Sequence, residues 1–167
     1  MIATRSLAWA CLNLGEVERG RQLHEENLRR ARALGNTRIE AITLGALAMS
    51  YVEEGDLEVA LPLLKESHRL HQQVADPIQT AFDAFRFAML LAEAHEAETA
   101  ATVLSAADAL AAKGGINLTN WDPGAMSETL AKIQDRLDEG ALAAAFERGR
   151  ALTADQAFSL ALEKLGD

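Results

Sequence analysis

Residues 47–60 read LAMSYVEEGDLEVA, and the same layout of small, large and turn residues returns 40 positions away on either side. It stands as LAWACLNLGEVERG at 7–20 and as FAMLLAEAHEAETA at 87–100. Leu7, Leu47 and Phe87 correspond, as do Ala8, Ala48 and Ala88, and Cys11, Tyr51 and Leu91. Further along, Gly20, Ala60 and Ala100 match, followed by Leu23, Leu63 and Val103. Large apolar residues recur where bulk is needed, and small ones recur where two helices must approach closely. A shared period with matched residue sizes is the mark of stacked helical repeats, in which each unit buries the face of its neighbour.

Each repeat reads as two helices. The first helices run to about Leu14, Glu54 and Ala94, and breaks follow at Gly15, Gly55-Asp56 and His95. Glycine suits such a break because a left-handed residue there needs no Cβ. Asp56 is an expected N-cap for the helix that follows. The second helices end near Leu34, Val74 and Ala112, punctuated by Gly35-Asn36, Asp76-Pro77 and Gly114-Gly115. With His95 in place of glycine, the third pair is the least regular. Beyond it, 114–124 (GGINLTNWDPG) reads as a sustained loop, followed by three shorter helices at about 125–138, 141–150 and 154–165. Gly140 and Gly149 are expected to end the first two of these, and Thr153 to cap the third.

Composition narrows the function. Thirty-three alanines against three prolines favour helix throughout. Sixteen basic residues against twenty-five acidic ones give a net charge of -9, which argues against nonspecific nucleic-acid binding. No apolar run approaches the roughly 18 residues that span a bilayer. A single cysteine, Cys11, cannot form an internal disulfide, so a reducing cytoplasm is the expected location.

The residues at 47–60 resemble the tetratricopeptide repeat. Leu47-Ala48, Tyr51, Gly55-Asp56 and Ala60 carry its full series of features: leucine and a small residue, an aromatic three positions on, the turn, and the early alanine of the second helix. Leu7-Ala8, Cys11, Gly15-Glu16 and Gly20 carry it with substitutions at the aromatic and the alanine. The step is 40 rather than the usual ~34, as in one bacterial subgroup of these repeats. The resemblance implies an all-α right-handed superhelix of three helix pairs, about 1–36, 37–75 and 76–113. A loop at 114–124 and a three-helix C-terminal cap at 125–167 complete the expected organisation.

A narrower resemblance concerns context. ATVLSAADALAAKGG at 101–115 and ALAAAFERGRALTADQAFSLALEKLG at 141–166 are together similar to the C-terminal repeat region of large bacterial regulators of the LuxR type, built around a signal-transduction ATPase. Leu104-Ser105-Ala106-Ala107, Phe146 before Gly149-Arg150-Ala151, and Thr153 carry it. It implies a non-catalytic sensor or protein-interaction module of a transcriptional or signalling regulator. A free-standing tetratricopeptide adaptor is the alternative.

Chemistry finds little local support. His24-Glu25 and His95-Glu96 lack the second histidine of a zinc-protease helix, since Leu28 and Thr99 stand four residues on. His68 and His71 share a helix face but have no local carboxylate or cysteine, and read as surface histidines. Cys11 reads as a small apolar filler. Asn117-Leu118-Thr119 matches a glycosylation acceptor by chance, and Trp121 is expected to fold back onto the tail helices. Arg29, Arg30 and Arg32 offset the dipole at a helix end. The expectation is therefore a chain that is not an enzyme, with no catalytic residue, no cofactor and no metal site.

In tetratricopeptide repeats the first helices line a concave groove, so the resemblance places a binding surface at Arg5, Trp9 and Asn13 in the first pair. The corresponding residues are Gly45, Met49 and Glu53 in the second, and Phe85, Met89 and Glu93 in the third. Its expected occupant is a peptide or protein partner, or a small-molecule inducer, with no direct nucleic-acid contact and no membrane. At the N-terminal edge, Ile2, Leu7, Trp9, Cys11, Leu12 and Leu14 wrap around more of the first helix than one neighbour can bury, which predicts self-association.

Overall fold

The structure is a computed structural model that describes residues 2–166, and the side chains of all of these except Ile2 and Asn13. The described residues are all-α, with no strand. They form α1 (Ile2–Asn13), α2 (Val17–Ala33), α3 (Thr37–Val52), α4 (Leu57–Gln73) and α5 (Pro77–Glu93). These are followed by α6 (Ala97–Lys113), α7 (Leu118–Trp121), α8 (Pro123–Gln134), α9 (Glu139–Arg150) and α10 (Ala154–Leu165). Contacts divide the chain into two compact units, Met1–Asp76 and Pro77–Asp167.

The turns follow the 40-residue step. Gly15 and Gly55 adopt φ of 78° and 77°, and His95 takes the same left-handed conformation at 66°. Asp56 caps α4 as expected, accepting from the Val59 N–H at 3.3 Å, and Asn36 does the same for α3 through Ile39 at 3.1 Å. Thr153 caps α10 in a reciprocal capping box with Gln156.

In the first unit α1 pairs with α2 and α3 with α4, and α2 packs along α3. The small residues mark the close approaches. A Cβ on Gly20 would lie 2.7 Å from the Leu12 side chain and 3.1 Å from the Ala8 carbonyl. Ala48 and Ala60 are fully buried in the second hairpin. Leu28, Ala41, Leu44 and Leu70 form a core cluster in which α2, α3 and α4 meet, with Leu63 against it. Polar groups pin the α2–α3 seam. Arg21 donates to the Ser50 carbonyl at 2.5 Å and to Glu54 at 2.7 Å, with its guanidinium 4.0 Å from the Tyr51 ring centroid. A cation at that place also complements the C-terminal end of α3. Asn27 donates to the Thr43 hydroxyl at 2.9 Å.

In the second unit α5 pairs with α6, and the later helices pack onto that pair. The Trp121 ring lies 4.5 Å from that of Phe82 near the start of α5, and Lys132 bonds Glu93 at its end, so α7 and α8 track α5 in the same direction. α9 lies on α6, and α10 lies on α5 and α6 with Phe158 edge-on to Phe87 at 5.5 Å.

Several expectations for this region are corrected. The stretch 114–124 contains the helical turn α7, which Asn117 caps by accepting from the Asn120 N–H at 3.2 Å. Trp121 packs on Phe82 of α5, a partner not expected for it. Gly140 and Gly149 lie inside α9 instead of ending helices. The α9 start is set by Asp138, which accepts from the Ala141 N–H at 2.8 Å, and Gly149 is held by a backbone contact with α6.

Candidate binding surface

The residues expected on the groove divide between the two units. On α1, Trp9 is 61 % exposed and Arg5 half-buried, while the side chain of Asn13 lies outside the described residues. On α3, Gly45 is buried, Met49 half-buried and Glu53 exposed. Trp9 and Met49 are register mates on successive first helices and both reach solvent. On α5, Phe85 is buried and Met89 half-buried. Glu93 accepts a hydrogen bond from Lys132 of α8. Partial burial works against the Lys132 charge, but Glu128 at 2.6 Å and Glu93 outweigh it and raise the ammonium above its ordinary range. The helix α8 therefore engages the end of α5 that the groove reading leaves open.

Three of the four histidines are interior, and only His95 at its turn is exposed. His68 and His71 are both buried, against the expectation that they lie on the surface. Among the described residues no three of His, Cys, Asp and Glu gather as metal ligands would. His24 is also buried, and neither of its ring nitrogens has a hydrogen-bond partner. Burial, with the Arg5 cation nearby, pushes its imidazole down to about 4. Its register mates Leu64 and Leu104 show what the position is for, since both are buried leucines in the helix-pair core. Cys11 is buried and unbonded, as a small filler would be.

The arginine cluster of α2 is neutralised locally. Arg29 faces Glu25 at 3.9 Å, Arg30 bonds Glu26, and Arg32 reaches Glu40 of α3 at 2.7 Å. It leaves no concentrated positive field for an anionic ligand. The open apolar groups of the first unit are of a different kind: Leu7, Trp9 and Leu14 are all exposed on or beside α1. Sequence reasoning marked this edge as over-apolar. It could not tell which side of α1 stays uncovered, because that depends on where α2 packs.

Antiparallel helix pairs repeating at a fixed step, with small residues at the close contacts and polar pins between pairs, define an α-helical repeat protein. The tetratricopeptide repeat family model matches residues 1–73, which carry the first two helix pairs. No curated protein and no solved structure matches the chain. Tetratricopeptide repeats mediate protein–protein interactions, and the fold is typically non-catalytic. No described helix is long and apolar enough to cross a membrane.

Proposed function

We propose that this chain is a non-catalytic sensor or protein-interaction module of a bacterial transcriptional or signalling regulator, acting in the cytoplasm. It binds a peptide, a protein or a small inducer on the faces of its first helices, and the bound state is transmitted to an effector. The reading draws its context from the resemblance of 101–115 and 141–166 to LuxR-type regulators. One observation supports the surface most directly: Trp9 and Met49 occupy equivalent register positions in the segment matched by the repeat family, and both reach solvent. A soft thioether and an exposed indole at equivalent positions give adaptable apolar groups suited to partner side chains.

The test is a photo-crosslinking amino acid placed at position 49, with a second variant carrying it at Arg29 on the outer face of α2. The reading expects a discrete adduct from position 49 alone. Met49→Glu should then weaken binding of the recovered partner at least tenfold, with helicity and melting temperature unchanged. Equal labelling from both positions would refute it, as would unfolding of Met49→Glu, which would place that side chain in the interior.

A further inference from the structure

Resting on the reading of the chain as an interaction module, we propose that the outer face of α1, built from Leu7, Ala10 and Leu14, is a self-association surface that takes the same face of a second copy of this chain. The two α1 helices pack antiparallel about a two-fold axis.

The 40-residue step identifies this face as a helix-docking face. α3 meets α2 through Thr43, Ser50 and Glu54, which bond Asn27 and Arg21. Leu47 lies on the same strip and is buried at 5 % exposure. The register mates on α1 and just beyond it are Ala3, Leu7, Ala10 and Leu14. Here the corresponding leucines are open, Leu7 47 % and Leu14 76 % exposed, with Ala3 exposed and Ala10 half-buried. The strip that is covered in the second pair is uncovered in the first.

Polarity then selects the occupant. The helix that covers α3 brings Arg21 and Arg32, and α3 receives them with Ser50, Glu54 and Glu40. α1 offers Ala10 and Leu14 where α3 has Ser50 and Glu54, and it contains no acidic residue at all. A basic helix of the α2 kind docked there would bury a cation with no acceptor, which is strongly unfavourable. The face calls for an uncharged apolar strip with a small residue at its centre, and the Leu7, Ala10 and Leu14 strip of α1 is itself one. Antiparallel packing sets opposite dipole ends together. It also brings Leu7 of each copy beside Leu14 of the other, with Ala10 at the crossing where the backbones approach. Two leucines and an alanine cover less than the roughly 800 Å² per partner of a standard interface, so the dimer is weak and forms only at high concentration.

Sedimentation equilibrium of the full chain from about 10 to about 500 µM tests this by mass action. The weight-average mass should climb from the 18.0 kDa of one chain toward twice that value. Leu7→Glu/Leu14→Glu should stay at one chain's mass with an unchanged circular dichroism spectrum. In a Cys11→Ala background, Ala10→Cys should oxidise to a disulfide-linked dimer, whereas Glu18→Cys on α2 should not. A constant single-chain mass overturns the proposal, and so does association that survives the double substitution. Met49→Glu separates the two readings: it abolishes partner binding if the groove reading holds and leaves the mass curve as it was in either case.

Discussion

Gly149 of α9 presses on the Thr102 carbonyl of α6 so closely that an added Cβ would lie 2.1 Å from the oxygen. The same contact brings the Ser105 hydroxyl to the Phe146 carbonyl, to which it donates at 2.8 Å. Arg148 reaches Glu98 at 2.6 Å along the same seam. The obstacle facing a Cβ is backbone, not the end of a flexible side chain, so the helix itself would have to move.

Gly149→Ala should therefore lower unfolding stability by about 1–3 kcal/mol, the range for overpacking a close-fitted site. Ser105→Ala should lose about 1 kcal/mol with its hydrogen bond. Gly124→Ala is the control: its Cβ would meet only the Asp122 carboxylate oxygen at 3.6 Å, so gained helix propensity should leave it neutral or slightly stabilised. Urea unfolding followed by circular dichroism ranks the three. A Gly149→Ala variant as stable as the parent would mean that α9 is not seated on α6.

His24 is a histidine in a leucine's place. Its folded imidazole titrates at about 4 against an ordinary value of 6.5, so folding favours the neutral ring. The unfolded chain binds the extra proton first, and stability is lost as the pH falls below 6.5 and on through 4. Between pH 7.5 and 5 this group alone should remove about 2 kcal/mol. His24→Leu should remove that component of the acid sensitivity and add about 1–2 kcal/mol at neutral pH by deleting an unpaired buried polar group. Urea titrations of parent and variant at both pH values isolate the effect, because the carboxylates titrate alike in the two proteins. Parallel losses in parent and variant would show that His24 is not the acid-sensitive group.

Much of the architecture was legible because repetition exposes it. The series Leu7, Leu47, Phe87 and Gly20, Ala60, Ala100 compare one environment with itself, and helix pairing follows from residue size alone. The region past Gly115 was harder to read because spacing and packing part company there. α3 and α5 start at Thr37 and Pro77, and α7 starts at Leu118, close to the next step. Likewise α2, α4 and α6 start at Val17, Leu57 and Ala97, and α9 starts at Glu139. The helix starts thus continue the period, yet α9 lies directly on α6 instead of pairing with α8 as a second helix would. The signal was Gly149, which reads equally well as a helix end or as a helix contact until its neighbour is known. The expected binding residues were the least legible. A half-buried Arg5 and a buried Phe85 share one register, an exposed Trp9 and a half-buried Met49 another, and only packing separates them.

His95 stands at the turn where the earlier pairs have glycine, and it keeps the left-handed backbone at φ 66°. For a residue with a Cβ that conformation is strained by roughly 1–2 kcal/mol, which glycine avoids. Ala75, at φ 49°, is in the same position relative to Gly35 and Gly115. Part of the relief is offset because glycine gains more freedom in the unfolded chain, so His95→Gly and Ala75→Gly should each stabilise by about 0.5–1 kcal/mol. Gly55→Ala should lose a comparable amount. Nothing lies within 4 Å of a Cβ built on Gly55, so backbone strain is the whole of that loss. Thermal unfolding of the three variants checks the signs together. A destabilised His95→Gly would show that the imidazole makes a contact worth more than the strain it carries.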